Sequence, residues 1–422
     1  MAGVDIISDT TGKAIVESIK ALGMRMNADK RVYGFHIDGA DSNPATRVRY
    51  LLDAVGMTPA KMNFSAGTFD YGSWGDAFFM PRPCMLKYDG MVDYYLNEND
   101  YTKKADGTAS DVANMDYGGN AMMEWGDGTN LIWWKIVPDK GNEKSGSVYI
   151  ANYKADDDFV CYNHIDTNGN VKSHFYTAIY NGSLDSSNRL RSISSQMVMK
   201  NQTASQEMSH ANANGSGWDM EQYVDRLLIY LLLTLISKST NSQSVFGEGM
   251  SQNAWDESLL LTTGTMNAKG LFFGETTGKA GVKVFGMENF WGNQWRRTAG
   301  LILANGTAKL KLTPSMADGS TVKAYNTDGS GYITIPNSTP SGTSGGYTKE
   351  MLFSKYGLLP VSVTGSESTY YCDGCWFNNA ITAFARFGGG LGSGRPCGSW
   401  YAGLDNAPSH AGWRFGASPS FK

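Results

Sequence analysis

The stretch LLIYLLLTLI at residues 227–236 is the most apolar run in the chain. Because apolar side chains occupy nearly every helical face of this run, it predicts a helix buried deep in a core. The run is about half as long as a membrane span requires, so we expect no membrane insertion. Asp219 and Gln222 are spaced as in a capping box, which predicts a helix that begins near Trp218 and Asp219 and ends near Lys238.

Short alternating or aromatic runs lie on both sides of this helix in the sequence. Asp-Gly dipeptides at residues 38–39 and 89–90 border two of these runs, and such dipeptides between apolar runs are typical of β-hairpins. We expect short helices at residues 46–55 and 203–213 and a polar loop at residues 100–114. The predicted strands are residues 32–37, 91–96, 131–137, 147–150 and 175–180, with more short strands after residue 238.

The fold class predicted from this pattern is α+β, with the chain divided into three parts. Residues 1–30 carry apolar positions at 15, 16, 19 and 22, which predicts a helical segment for packing, attachment or oligomerisation. Residues 31–115 are expected to form a small β-rich domain, and residues 116–422 the larger C-terminal domain. A chain of 422 residues is long enough for this division, because single cores stop growing near ~250 residues.

Charge and composition exclude several classes of protein. The net charge is −4 and no run of Lys and Arg is longer than a pair, so we expect no nucleic-acid partner. The first residues have neither a basic nor an apolar signal region, which predicts synthesis in the cytoplasm without a signal peptide. Five cysteines are an odd number and are unevenly spread, which argues against a disulfide-framed secreted domain.

Motifs for catalysis are weak. The five histidines never form a metal-binding pair on one helical face. The sequence GGGLGSG at residues 388–394 lacks the Lys-Ser/Thr pair and the following helix that a phosphate loop needs. We therefore expect neither enzymatic activity nor a cofactor.

Three cysteines leave alternatives open. Cys372 and Cys375 are spaced like half of a zinc site, with Cys397 as a third ligand, but no second pair follows. A disulfide or free buried thiols are both favoured over zinc. The sequence NTDGS at residues 326–330 resembles part of a calcium loop but lacks its closing glutamate, so we expect a turn there and no bound metal.

The composition changes abruptly near the C-terminus. Lys, Glu, Gln and Met make up 62 of the 422 residues, yet none of them occurs from Tyr371 to Phe421. At that frequency about seven would be expected in a segment of this length. A Gly-rich coil that avoids long side chains is one explanation, and the other concerns how the segment is encoded.

Three further segments are VKVFGMENFWGNQWRR at residues 282–297, CGSWY at residues 397–401 and GWRFGASPSF at residues 412–421. The first contains Gly292, Asn293 and Trp295 in the pattern Gly-Asn-x-Trp. Together these segments resemble the C-type lectin fold of the formylglycine-generating branch, which implies a C-type lectin-like C-terminal domain after the smaller strand-rich region. Arg296 and Arg297 stand where that branch has Glu-Trp, and no cysteine pair is recognisable in the oxidising role, so the resemblance does not extend to catalysis.

More motifs follow one another along the chain: VYGFHIDG at 32–39, PRPCMLKYDG at 81–90, IYNGSL at 179–184, LRSIS at 190–194 and the last fifty residues. In this order they resemble phage tail proteins that are diversified by retroelements, and the resemblance covers most of the chain. In such systems a reverse transcriptase alters template adenines, chiefly at AAY codons. The resulting NNY codons cannot encode Lys, Glu, Gln, Met or Trp, which fits the compositional break.

This resemblance implies a variable region at about residues 380–415, displayed on an exposed loop surface. Trp376, Trp400 and Trp413 would belong to the fixed scaffold, since NNY codons do not encode tryptophan. The predicted variable positions, which would contact the ligand, are Ile381, Thr382, Ala383, Arg386, Phe387, Gly390, Leu391, Gly392, Ser393, Arg395, Pro396, Gly403, Asp405, His410, Gly412 and Arg414.

The resemblance implies a hypervariable receptor-binding protein located in the virion tail or on a bacterial or phage surface. Phe387, Leu391 and either Arg386 or Arg395 would anchor the ligand, because aromatic and Arg side chains dominate hot spots. The expected partners are a host-cell surface receptor, protein or glycan, and other tail components, with a homotrimer as an assembly that raises avidity. The alternatives are a conventional carbohydrate-binding lectin with a calcium site and a formylglycine-generating-type enzyme.

Overall fold

The computed structural model describes residues 30–342 and 344–422. In this part of the chain strands make up 33% and helices 9%, with three α-helices. The protein is therefore mainly β, and the predicted α+β class is wrong. Most predicted strands are present, but helices do not form a second structural layer beside them. The helical segment predicted for residues 1–30 lies outside the described residues, apart from Lys30.

One antiparallel sheet joins strands from the two ends of the N-terminal third. Its order is β2-β1-β10-β9, and Tyr33 of β1 pairs with Leu52 on one side and Ile150 on the other. Strands from both sides of residue 115 therefore share this sheet. Its members are β1 (Val32–Ile37), β2 (Val48–Leu52), β9 (Trp133–Asp139) and β10 (Asn142–Ala151).

A second antiparallel sheet has seven strands. Its order is β14-β27-β11-β8-β5-β6-β7, so the last strand of the chain lies between two strands far from it in sequence. The hairpin predicted at residues 89–90 is present between β5 and β6. The members are β5 (Arg82–Lys87), β6 (Val92–Asn97), β7 (Asp100–Lys104), β8 (Gly119–Trp125), β11 (Phe175–Ala178), β14 (Trp218–Met220) and β27 (Pro419–Phe421).

A third sheet of eight strands contains most of the strands that follow residue 294. Its main order is β19-β18-β17-β24-β25-β23-β20, and β26 pairs with β17 in parallel, with Trp295 opposite Phe415. The members are β17 (Trp295–Ala304), β18 (Thr307–Leu310), β19 (Ile333–Thr334), β20 (Gly345–Tyr347), β23 (Gly374–Phe377), β24 (Thr382–Phe387), β25 (Ala402–Leu404) and β26 (Phe415–Gly416).

Four two-stranded sheets complete the β structure, and two short 3-10 helices lie outside it. The pairs are β3 (Lys61–Asn63) with β4 (Thr68–Asp70), β12 (Ser183–Leu184) with β13 (Leu190–Arg191), β15 (Lys283–Val284) with β16 (Met287–Glu288), and β21 (Glu350–Ser354) with β22 (Gly357–Ser362). The 3-10 helices are Tyr162–His164 and Glu257–Leu259.

The three α-helices are α1 (Ala204–Asn212), α2 (Tyr223–Ser237) and α3 (Ser242–Phe246). Helix α1 agrees with its prediction, and its N-cap Thr203 forms a capping box with Gln206. Helix α2 ends as predicted before Lys238, which adopts the left-handed conformation. Its predicted start was wrong, because residues 218–220 form β14 instead and Gln222 is the N-cap without a side-chain hydrogen bond.

Helix α2 is enclosed by the fold, and all fifteen of its residues are buried, as predicted. It packs against β17 and β22, and the ring of its Tyr230 stacks 4.7 Å from the ring of Trp400. Tyr50 donates a hydrogen bond of 2.8 Å to the carbonyl of Leu235, so the N-terminal sheet contacts the same helix. Each leucine enclosed in this way stabilises the fold by about 1.5–3 kcal/mol.

Two local predictions were also wrong. Residues 46–55 form turns around β2, in which buried Val48 and Tyr50 flank exposed Arg49. This alternation with period two suits a strand beside β1 and overrides the helical pattern. Residues 100–114 contain β7 rather than only a loop.

Candidate functional site

The sixteen predicted variable positions do not form one exposed loop. Part of the segment is built into β24 and β25, so some of its side chains point into the molecule. The buried positions are Ala383, Arg386, Phe387, Gly390, Leu391 and Gly403. The half-buried or exposed positions are Ile381, Thr382, Gly392, Ser393, Arg395, Pro396, Asp405, His410, Gly412 and Arg414.

The expectation that Phe387 and Leu391 are exposed anchors is wrong. Phe387 is 1% exposed, and its ring lies 4.9 Å from the ring of Trp400 and 6.3 Å from that of Tyr223 on α2. Leu391 is 0% exposed and packs in an apolar cluster with Met250. A coding restriction limits residue types but does not report the direction of a side chain, so it could not separate these core residues from surface ones.

Five predicted variable positions line one cleft of about 360 Å³. They are Arg386, Asp405, His410, Gly412 and Arg414. The remaining wall of the cleft is mainly aromatic and consists of Trp255, Trp295, Asn406, Trp413 and Phe415. An apolar wall with a few polar groups converging on it is the usual composition of a small ligand-binding site.

Arg386 forms part of the cleft wall. Its place in β24 sets it opposite Gly403 of β25, and a Cβ at Gly403 would come within 2.6 Å of the guanidinium carbon. The glycine therefore lets the Arg386 side chain lie flat on the strand, with its guanidinium 4.6 Å from the centre of the Trp295 ring. Burial lowers the pKa of Arg386, while Asp405 opposes that shift.

Arg386 and Asp405 form an ion pair of 2.7 Å in the cleft. The two groups are close, but the guanidinium donates no well-aligned hydrogen bond to that carboxylate oxygen, Oδ1. The buried Nε and Nη1 atoms of Arg386 also have no hydrogen-bond partner among the described residues. Buried polar atoms are normally satisfied, so these unsatisfied atoms distinguish the pair from the rest of the cleft wall.

Trp255 and Arg414 form the opposite side of the cleft. Trp255 lies against the Gly-rich backbone, since a Cβ at Gly392 would come within 2.6 Å of the indole nitrogen. The guanidinium of Arg414 sits 4.5 Å from the centre of the Trp255 ring and 5.4 Å from that of Trp413. Such exposed cation–π contacts contribute about 0.5–1 kcal/mol each. Arg414 is therefore held in place but is not part of the core.

His410 is exposed at the margin of the cleft. Its ring lies 5.0 Å from the ring of Phe415, and its carbonyl oxygen accepts a hydrogen bond from Arg297. Burial, together with the positive charges of Arg297 and Arg386, lowers the pKa of the imidazole. Because the usual value is near 6.5, His410 is mostly neutral at pH 7.

The other half-buried or exposed positions lie outside this lining. Arg395 helps to line a separate cavity of about 150 Å³ and forms an ion pair of 3.5 Å with Glu367. The carbonyl of Ile381 accepts a hydrogen bond of 3.0 Å from the backbone of Asn305. The structure thus brings five predicted positions together in the cleft and leaves Arg395 and Ile381 apart from it.

The cysteines are unpaired thiols in buried positions. Burial raises the pKa of the Cys372 thiol to about 12, with Asp373 adding to the effect. Burial also raises the pKa of the Cys375 and Cys397 thiols. Within residues 30–342 and 344–422, no three His, Cys, Asp or Glu side chains are arranged to hold a metal ion.

Trp255 and Trp295 are cleft residues that sequence reasoning did not select. Trp295 belongs to the Gly-Asn-x-Trp pattern, which supports only the resemblance to the lectin fold. Trp255 stands in the polar stretch SQNAWDES, at residues 251–258, where a large aromatic residue has few local apolar neighbours to pack against. An isolated tryptophan in a polar loop was the available signal for it.

No protein-family model matches the chain, and no curated protein matches it significantly. In the part of the chain that the structure describes, no helix combines the length and the apolar character needed to cross a membrane.

Proposed function

We propose that this protein is a hypervariable receptor-binding protein of a phage tail and that its ligand enters the cleft around Arg386 and Arg414. One observation carries the proposal: five predicted variable positions line the same cleft, beside three tryptophans that the diversification would leave unchanged. Trp255 and Trp295 precede the variable region, and NNY codons do not encode Trp413. Changeable side chains and an unchangeable aromatic wall therefore meet in one site. This is the layout expected of a binding surface whose specificity varies while its framework stays constant.

The contacts of the cleft residues support this division. His410 and Arg414 are exposed and Asp405 and Gly412 are half-buried, so replacing them removes little apolar packing. The sheet around them is held by buried residues such as Phe387 on β24. Substitutions at exposed positions usually change stability by less than about 0.5 kcal/mol. Many different side chains could therefore occupy positions 410, 412 and 414 without loss of the fold. A replacement at position 405 must still offer an acceptor to the buried guanidinium of Arg386.

The proposal includes partners that the cleft alone does not identify. The ligand is a receptor on the host-cell surface, and the protein is carried by other virion tail components. Assembly as a homotrimer would place several clefts on one particle, and multivalent contact would raise a weak single-site affinity. Light scattering on the purified full chain measures that assembly.

The sharpest test is the DNA beside the gene. We expect an adenine-rich near-copy of the last part of the coding sequence, next to a reverse transcriptase gene. Differences between the copy and the gene should fall only at template adenines. Across related copies, changes should concentrate at the codons for Asp405, His410, Gly412 and Arg414, while those for Phe387 and the tryptophans stay constant. Differences at other template bases, or changes confined to buried positions, would contradict the proposal.

A further inference from the structure

Trp376 is an exposed aromatic residue next to the cleft. It lies on β23 and is 43% exposed, whereas Trp400 of the same segment is 1% exposed. The chain therefore holds a large ring in water, although burial of such a ring would stabilise the fold. Single exposed apolar side chains are common, so the exposure of Trp376 is informative only together with the way its ring is held.

The Trp376 ring is fixed in its exposed position. Its neighbours across the two adjacent strands are both glycines, Gly345 on β20 and Gly403 on β25. A Cβ at Gly345 would come within 2.0 Å of the six-membered part of the ring, so the ring rests directly on the strand. The indole N–H donates a hydrogen bond to the hydroxyl of Tyr401. One face of the ring rests on Gly345 and the indole nitrogen is bound to Tyr401, so the opposite face is held in a fixed position as an accessible aromatic surface.

Polar groups surround this surface. Trp376 lines an open depression of about 570 Å³ together with the side chains of Asn378, Asn379 and Asp405. Asn379 donates a hydrogen bond of 3.0 Å to the carbonyl of Pro340, but its buried side-chain oxygen has no hydrogen-bond partner among the described residues. Asp405 also lines the cleft, so the depression and the cleft share one residue.

From this geometry we infer that Trp376 is a constant subsite that stacks against one saccharide ring of the receptor. The inference deepens the proposed function and rests on it, because it divides the site into a constant and a variable part. NNY codons do not encode tryptophan, whereas Asp405 is one of the predicted variable positions. The ring therefore stays constant while the side chain at position 405 can change, and the cleft on the other side of Asp405 binds the rest of the glycan.

A saccharide fits this surface better than a protein does. A sugar ring has an apolar C–H face and hydroxyl groups at its edge, which match a single aromatic face with amide and carboxylate groups around it. Protein hot spots lie at the centre of larger apolar patches. Among the described residues that line the depression, Phe377 is the one other aromatic residue, and it is buried.

The experiment is a titration of the full chain labelled with 5-fluorotryptophan, followed by fluorine NMR. The chain has 11 tryptophans, and the signal of Trp376 is assigned from its loss in Trp376→Phe. The probes are neutral, N-acetylated and uronic-acid disaccharides. We expect at least one of them to shift the Trp376 signal in a saturable way, with an affinity in the roughly millimolar range of one stacked ring. The signals of buried tryptophans such as Trp400 should not move.

Two variants make the result specific. By isothermal titration calorimetry, Trp376→Ala should bind the active disaccharide at least tenfold more weakly, while Met91→Ala, at an exposed apolar side chain elsewhere, should bind it unchanged. Unmoved signals of the remaining tryptophans report that each variant is folded. If no disaccharide shifts the Trp376 signal, or if Trp376→Ala binds the active disaccharide as tightly as the unchanged chain does, the inference is overturned. That outcome leaves the DNA test of the proposed function intact, and a missing template copy leaves this titration intact.

Discussion

The segment at residues 382–415 has an inner side, which packs into the core, and an outer side, which faces the cleft. The two sides lack the same residue types but differ in what their side chains contact. On the inner side Phe387 packs against Trp400 and through it against α2. On the outer side Arg414 and His410 lie at the exposed margin of the cleft. Both sides avoid Lys, Glu, Gln and Met, so residue type does not separate them. Burial does, and it indicates which positions can vary without loss of the fold.

The largest effect that separates the two sides is expected for Phe387→Ala. This substitution leaves a cavity next to Trp400 and Tyr223, and such cavities cost about 3–5 kcal/mol. Urea unfolding of the purified full chain measures the free energy of unfolding. A loss below about 1 kcal/mol would mean that the inner side tolerates change as the outer side does, and the comparison would fail.

A second effect concerns pH and Asp373, a buried residue just before β23 that contacts the inner side through Trp400. Burial raises the pKa of this carboxyl to about 7, although its Oδ2 accepts a hydrogen bond of 2.7 Å from the backbone of Trp400. Between about pH 4 and pH 7 the folded state keeps a proton that the unfolded state releases. The free energy of unfolding should therefore fall as pH rises through this window, by up to ~1.4 kcal/mol per pH unit from this group.

Asp373→Asn should remove that contribution and keep the acceptor for Trp400. Urea unfolding at roughly pH 5 and pH 8 should show a smaller difference for the variant than for the unchanged chain. Some dependence should remain, since burial also raises the pKa of Glu207 and of Asp219 to about 7. Asp106→Asn, at an exposed carboxyl, is the matched control. An unchanged pH dependence in Asp373→Asn would show that this carboxyl is already ionised.

The smallest effect is expected on the outer side. Arg414→Ala removes contacts with the Trp255 and Trp413 rings, and the loss of stability should stay below about 1 kcal/mol. His410→Ala should change stability by less than about 0.5 kcal/mol. Both are measured by the same urea unfolding as Phe387→Ala. A loss above about 2 kcal/mol for either variant would place that residue in the framework and remove it from the variable surface.

The sequence predicted the central helix better than its beginning. An apolar run on every face could only be buried, and α2 is buried throughout. The beginning was wrong because Trp218–Met220 pairs with Pro419–Phe421, about 200 residues away. A local capping pattern around Asp219 contains no information about pairing with a strand that is distant in the sequence. The same limit applies at residues 46–55. Their pattern predicts a helix, but pairing with β1 makes residues 48–52 the strand β2.

The sequence identified the segment that contributes to the candidate site, but it did not show which side chains of that segment point into the cleft. The missing residue types marked residues 371–421, and five of the sixteen positions derived from them meet in the cleft. The direction of each side chain could not be derived, because β24 is held between β17 and β25, and that pairing decides which residues face inward. Trp255 reaches the cleft from a distant loop, so no local pattern could assign it there.

By itself, the sequence determined that a long apolar helix is enclosed, that short strands and turns surround it, and that the last fifty residues differ in composition from the rest. These features depend on side-chain type and on spacing along the chain, and both are local properties of the sequence. Only the tertiary structure decided that the protein is mainly β, that Phe387 and Leu391 are core residues, and that Trp255, Arg386 and Arg414 meet. Those outcomes depend on strand pairing between distant segments, and pairing chooses the direction of every side chain.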